Sequence, residues 1–341
     1  MDKNIESKTI EDSIAAFYQY NHINSERYTD SWEEHFSSGK EMDAKICKAN
    51  LERRADAWLN SFAEEDKAIF LAMLEKFQYI SEENFVHRIY DLSTSIYERF
   101  SSYTEEEILI VFVESSKGHK SGASEMIHVW WKVCQGRVRK DVLLEVYSKA
   151  DEVEVYHKKI IVFVDDIVAT GVTLAHTIRA FFERFEYTKF QGTKFYASGV
   201  VATKRGELLI GKLKKEGYDV EWLNEGERLQ SAFRGDFVFP GDVVHEMEQR
   251  VRPYEEAVGK NKDDADYAMG YERGKLLIAF YYETPNNTLC TFWRYGANHV
   301  PLFERSSNQT ITLEEIKRRK KKMADQAYEI KSWERKKIER V

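Results

Sequence analysis

Asp165 and Asp166 stand side by side after the apolar run Ile161-Val162-Phe163-Val164, and Ala169-Thr170-Gly171-Val172-Thr173 follows two residues later. Adjacent carboxylates repel, so a chain that sets them at the end of a segment built for burial has a use for them. Two such groups can accept hydrogen bonds from vicinal hydroxyls or help to hold a hard cation such as Mg2+. The turn that follows runs into a helical pattern, and free backbone N–H groups at a helix start form an anion site. Gly171 permits close approach of the backbone, while Thr170 and Thr173 add hydroxyl donors. A phosphate beside a diol is a ribose 5-phosphate. The plainer reading is an acidic strand end with a Thr cap and no ligand. Asp-Asp after a strand also occurs in nucleotide hydrolases and receiver-type domains.

These residues need a scaffold that brings strand ends together. Continuous apolar runs of strand length occur at 108–113, 142–146, 160–164, 194–201, 219–223 and 276–282, the texture of strands buried on both faces. Helical patterns lie between several of them, at 123–134, 173–185 and 205–216. The alternation predicts an α/β fold with a doubly wound, mainly parallel sheet, whose ligands sit beyond the carboxyl ends of the strands. Asp165 and Asp166 are expected to emerge there, past the end of their strand. Residues 147–159 are polar without a helical stripe and read as an exposed loop. Upstream, Ile69, Phe70, Met73, Leu74 and Phe77 recur at helical spacing within 66–80, and Ser81 followed by Glu82 and Glu83 reads as the cap of a second helix to about Phe100, with Ile80 stapled onto Phe85.

Four apolar residues, two acids, two apolar residues and a small-Thr-Gly-x-Thr turn resemble the phosphoribosyl pyrophosphate signature of the type I phosphoribosyltransferases. The resemblance implies a sheet of that type, with a second loop after an earlier strand. Residues 114–122 occupy that place, with Lys117 and Lys120 to neutralise phosphate charge and Ser116, Gly118, Ser121 and Gly122 to cradle it. Alone, this loop reads equally as a solvated Lys/Gly/Ser turn. By the resemblance, Mg2+ chelates the pyrophosphate and is held mainly through the ligand, with Asp165 and Asp166 as its protein side. Lys117 to Gly122 hold the leaving group, and Ala169 to Thr173 hold the 5-phosphate. Asp165 and Asp166 hold the ribose hydroxyls and stabilise positive charge developing at the sugar carbon. Catalytic work falls to Asp165, Asp166, Lys117 and Lys120. The chain departs from the pattern at Val172, where a smaller residue is usual, and in 147–159, which occupies the place of the family's lid with no residue of evident catalytic type.

Residues 282–293 (YETPNNTLCTFW), 301–305 (PLFER) and the leader FLAMLEKFQYISEENF look like a bacterial branch of phosphoribosyltransferase-like proteins called PRTase-CE, over residues 55–305. Pro285-Asn286-Asn287 is in addition a strong turn signal. Members of that branch are linked to conflict systems, including retron-type anti-phage cassettes with a reverse transcriptase and its RNA–DNA product. The implied function is an effector of such a system that binds phosphoribosyl pyrophosphate or a related nucleotide. The alternatives are a non-catalytic nucleotide-sensing module, a phosphoribosyltransferase of nucleotide salvage, and a scaffold whose pocket is vestigial.

The formal charge of −7 divides into +7 on residues 317–341 and −14 on residues 1–316. Thr312 to Glu315 form a capping box ahead of a basic helix that includes Lys317 to Lys322, read either as a solvated helix or as an element that docks on an acidic partner such as nucleic acid. The expected organisation is a helical region at 1–105, an α/β domain at 106–309 and the basic helix at 310–341. With 43% hydrophobic and 32% charged residues, a polar start and no long apolar run, a cytoplasmic globular protein is expected. Cys47, Cys134 and Cys290 are widely separated and support neither a disulfide framework nor a zinc site.

Overall fold

The computed structural model describes residues 54–113, 122–134, 155–223, 226–259, 267–294, 296, 298–303 and 305. The chain divides into two compact units, 1–305 and 306–341. The second unit, with the expected basic helix, lies outside the described residues, as do the expected strand at 142–146 and Cys47.

Local signals set the first elements. Helix α1 (Lys67–Glu75) buries Ile69, Phe70, Met73 and Leu74, the stripe read from the sequence. It stops earlier than expected, because Gln78–Ile80 leaves the helix and forms strand β1. Ser81 then caps α2 (Glu82–Arg99): its side chain accepts from the Asn84 N–H, with Glu82 and Glu83 in the first turn and Arg99 in the last. Phe85, Ile89, Leu92 and Ile96 lie buried along one face of that helix.

The central sheet is parallel throughout and runs β2 (Ile108–Phe112), β3 (Ile160–Val168), β4 (Lys194–Thr203), β5 (Val220–Trp222), with β6 (Glu227–Leu229) pairing further along β4. The strand side chains alternate between two cores, as a period of two requires. Ile108, Ile110 and Phe112 with Ile160, Val162 and Val164 share one core with α2 and with α3 (Gly122–Cys134). Leu109 and Val111 with Ile161 and Phe163 share the other with α4 (Val172–Arg184) and α5 (Lys204–Lys212). The helices that precede and follow β3 therefore cover opposite faces of the sheet. Such a reversal opens a crevice beyond the carboxyl ends of the strands.

Three expectations need correction here. Strand β3 does not end at Val164 but continues to Val168, so both aspartates lie within it and both are buried. The run at 276–282 does not join the central sheet; only Ile278–Phe280 (β7) is extended, and it pairs in parallel with β1. Within 147–159, the described part is not an exposed loop: Val155 is buried, and the Tyr156 ring packs against Phe185 and Phe190.

The small β1–β7 sheet is a partition. Ile80, Ile278 and Phe280 face the core that α2 and α3 share, whereas Leu277 and Ala279 face a third core. That third core joins Trp58, Phe62, Phe70 and Met73 of the leader to Val251 of α6 (Val244–Gly259) and to Leu289, Phe292, Leu302 and Phe303. Trp58 donates its indole N–H to the Thr291 carbonyl at 2.9 Å. Among the described residues, no helix is long and apolar enough to cross a membrane.

Candidate functional site

The site begins where β2 ends beside the middle of β3, with the Val113 N–H donating to the Val164 carbonyl at 3.1 Å. Beyond Val164 the strand carries two carboxylates instead of apolar side chains. Asp165 Oδ1 accepts from the Asp166 N–H at 3.0 Å, and Asp166 Oδ1 accepts from the Ile167 N–H at 2.8 Å. The second oxygen of Asp166 accepts from the Tyr282 hydroxyl at 2.5 Å. Burial first, then the neighbouring Asp166 charge and a hydrogen bond shared with it, hold the Asp165 carboxyl well above the usual carboxylate range; the Asp166 N–H offsets this only in part. Burial and the charge of Asp166 likewise push the Tyr282 phenol well above its usual range. The two acids are thus unequal: Asp165 is driven toward its neutral form, and Asp166 is engaged by a phenol.

The turn after β3 is built for close approach. Ala169 and Thr170 are buried, and Gly171 adopts φ 77°, in the left-handed region that favours glycine. A Cβ there would also stand 2.8 Å from the Gly206 carbonyl oxygen, so conformation and space demand the same residue. Thr203, at the end of β4, fixes the turn from the other side, donating to the Ala169 carbonyl and accepting from the Gly206 N–H at 3.1 Å. Val172 and Thr173 open α4 and are exposed. Thr170 Oγ1 lies 3.5 Å from the Val172 N–H nitrogen, too far to occupy that donor strongly.

Gly122, the last residue of the expected pyrophosphate loop, is the first residue of α3. Ser116, Lys117, Gly118, Lys120 and Ser121 lie outside the described residues. Glu125, in the first turn of α3, accepts a hydrogen bond from the Tyr281 hydroxyl. Tyr281 and Tyr282 meet edge to face, with ring centroids 5.0 Å apart, so this pair bridges the start of α3 and the acid pair.

Sequence reasoning missed Tyr282, Tyr281, Glu125 and Thr203. Two adjacent tyrosines closing an apolar run were the available signal, because a buried phenol needs a hydrogen-bond partner. The Pro285-Asn286-Asn287 turn forms as expected, with the Thr288 N–H donating to the Pro285 carbonyl at 3.0 Å.

No group of three or more His, Cys, Asp or Glu side chains converges to hold a metal among the described residues. The donor set is the two aspartates, which suits an ion carried chiefly by ligand phosphates, since Mg2+ is commonly held by one or two carboxylates with substrate phosphates and water. Chemically, the edge offers helix-start N–H groups for an anion and carboxylate acceptors for hydroxyls.

One solved structure similar to this chain is that of the AQ2163 protein from Aquifex aeolicus, at 15% identity over 56% of this chain and 88% of that one, with a TM-score of 0.25. No curated protein matches. Residues 55–305 match the PRTase-CE family, which spans the leader, both sheets and the Tyr281-Tyr282 turn. The chain belongs to the PRTase-CE family.

Proposed function

We propose that the crevice beyond β3 binds phosphoribosyl pyrophosphate or a related ribose 5-phosphate nucleotide. One observation carries this reading: a pair of buried carboxylates and an open helix start share one strand end, where the covering helices change face. In this reading the N–H groups that open α4 receive the 5-phosphate, and Asp165 and Asp166 accept the ribose hydroxyls. Asp165 and Asp166 would be the protein donors to a Mg2+ held chiefly by the ligand phosphates, which would supply positive charge opposite the pyrophosphate. Membership of the family supports extending the reading to pentosyl transfer, and to an effector role in a retron-type anti-phage system.

Calorimetry with phosphoribosyl pyrophosphate and Mg2+ tests the site. The wild-type chain binds and the Asp165→Asn/Asp166→Asn chain does not; equal affinity in the two overturns the assignment. A second reading, a sensor that binds nucleotide without breaking a bond, is favoured by the state of the acids. With Asp165 driven toward neutrality and Asp166 accepting from Tyr282, the pair sets less negative charge against a developing cation than two free carboxylates would. Release of pyrophosphate on incubation with candidate acceptors supports the transferase; binding without release across a broad panel supports the sensor.

A further inference from the structure

Resting on the ribose-phosphate reading of the crevice, we propose that Tyr282 is a latch that competes with a ligand hydroxyl for Asp166, so that the structure shows the closed form of the site. The turn that carries Tyr282 is rigidly built. Phe280 and Glu283 exchange both backbone hydrogen bonds, at 3.0 and 3.2 Å, leaving Tyr281 and Tyr282 as the two residues at its tip. The turn is anchored on three sides: the Tyr281 N–H donates to the Ile80 carbonyl at 2.9 Å, Glu283 pairs with Arg305 at 2.9 Å, and the Thr284 hydroxyl donates to the Phe303 carbonyl at 2.9 Å.

From that tip the two phenols diverge, their ring planes 89° apart. Tyr281 reaches Glu125 at the start of α3, and Tyr282 reaches Asp166 at the end of β3. A neutral O–H donor aimed at one carboxylate oxygen at 2.5 Å is what a sugar hydroxyl would also offer. Each oxygen of Asp166 then already accepts one hydrogen bond, one from the Ile167 N–H and one from the phenol, and the residue is only 9% exposed. Among the described residues the helix start of α4 has no such stopper, and Val172 and Thr173 are exposed. The latch therefore guards the diol half of the site and leaves the phosphate half open. A ribose hydroxyl that takes the phenol's place on this nearly buried carboxylate displaces the Tyr282 hydroxyl, and the closed fraction of the population lowers apparent affinity in proportion.

The test compares ribose 5-phosphate and inorganic phosphate, by calorimetry, on the wild-type, Tyr282→Phe and Asp166→Asn chains. The latch predicts that Tyr282→Phe tightens ribose 5-phosphate by about tenfold and leaves inorganic phosphate unchanged, while Asp166→Asn weakens ribose 5-phosphate. Unchanged or weaker ribose 5-phosphate binding in Tyr282→Phe, with Asp166→Asn weakened, overturns the latch and leaves the site reading standing. An equal gain for both ligands overturns competition for the hydroxyl. No binding of ribose 5-phosphate by any chain overturns the site reading and the latch together. Tyr282→Leu replaces the Phe variant if that chain loses its cooperative melt, with the same expected outcomes.

Discussion

Glu255 grips Thr291 twice, one carboxylate oxygen accepting from the Thr291 backbone N–H at 3.0 Å and from its hydroxyl at 2.7 Å. The other oxygen accepts from the Cys290 and Met269 N–H groups at 2.9 and 3.1 Å. Burial raises the Glu255 pKa, and these donors offset the rise in part. Removing the carboxylate strands three buried N–H groups at once, so Glu255→Ala is expected to cost about 3–5 kcal/mol in urea unfolding. Glu255→Gln keeps one acceptor and costs less. A loss below about 1 kcal/mol in the Ala variant contradicts this role.

Asp165 carries the opposite lesson, because its burial beside Asp166 is unfavourable when it is charged. A folded-state pKa raised above the unfolded value means that the native chain binds more protons, so stability is present at low pH and falls as pH rises through the raised pKa. Asp165→Asn is therefore expected to raise Tm at pH 7.5 by about 2 °C or more. The difference should close as pH falls into the ordinary carboxylate range. A Tm gain that is the same at every pH contradicts the electrostatic cause.

Gly171→Ala meets two obstacles, a φ of 77° and a Cβ contact of 2.8 Å with the Gly206 carbonyl oxygen. The expected cost is about 1–3 kcal/mol, accompanied, if the proposed phosphate site is right, by weaker inorganic phosphate binding, because the backbone of the turn must shift. An Ala variant with wild-type stability and affinity contradicts the close approach of α5 to this turn.

Trp58→Ala tests whether the leader and the carboxyl-terminal part form one folding unit. The ring is buried, packs against Phe62 and Phe292 and donates to the Thr291 carbonyl. The expected loss is about 3–5 kcal/mol in a single cooperative transition. Separate melting of the leader while the rest stays folded contradicts the shared core.

The basic residues 317–322 are expected to tether the chain to a nucleic acid such as an RNA–DNA product. A chain ending at Asn308 should keep the ribose-phosphate site and lose the nucleic acid in co-purification at low salt. For the full chain, the logarithm of affinity should fall with the logarithm of salt, with a slope of roughly −0.7 to −0.9 per neutralised phosphate. Equal co-purification of the two chains contradicts the tether.

The legibility of this protein divides along physical lines. The acid pair, the Thr-Gly turn and the parallel strands around them were readable because each depends on neighbours within a few residues: an apolar run, a glycine with a left-handed φ, an Ser81 cap. Tyr282 was not, since its role comes from a contact 116 residues away in sequence. Nor was the end of α1, where helical spacing continued through Phe77 while pairing with β7 pulled Gln78–Ile80 into a strand. The extension of β3 through both aspartates was hidden for a related reason. Two charges normally signal the end of a buried strand, yet pairing with β4 carries this one on to Val168.

The partition between β1 and β7 also sets a schedule for synthesis. Gln78 pairs with Ile278, two hundred residues later in the chain. At ~5–20 residues per second on a ribosome, that separation is about 10–40 s. Through that interval Trp58, Phe62, Phe70 and Met73 have emerged without the Leu289, Phe292 and Phe303 side chains that will cover them. Biogenesis is thus the moment of greatest vulnerability, and a nascent chain arrested before residue 278 presents an aromatic surface that a chaperone can hold and a protease can find.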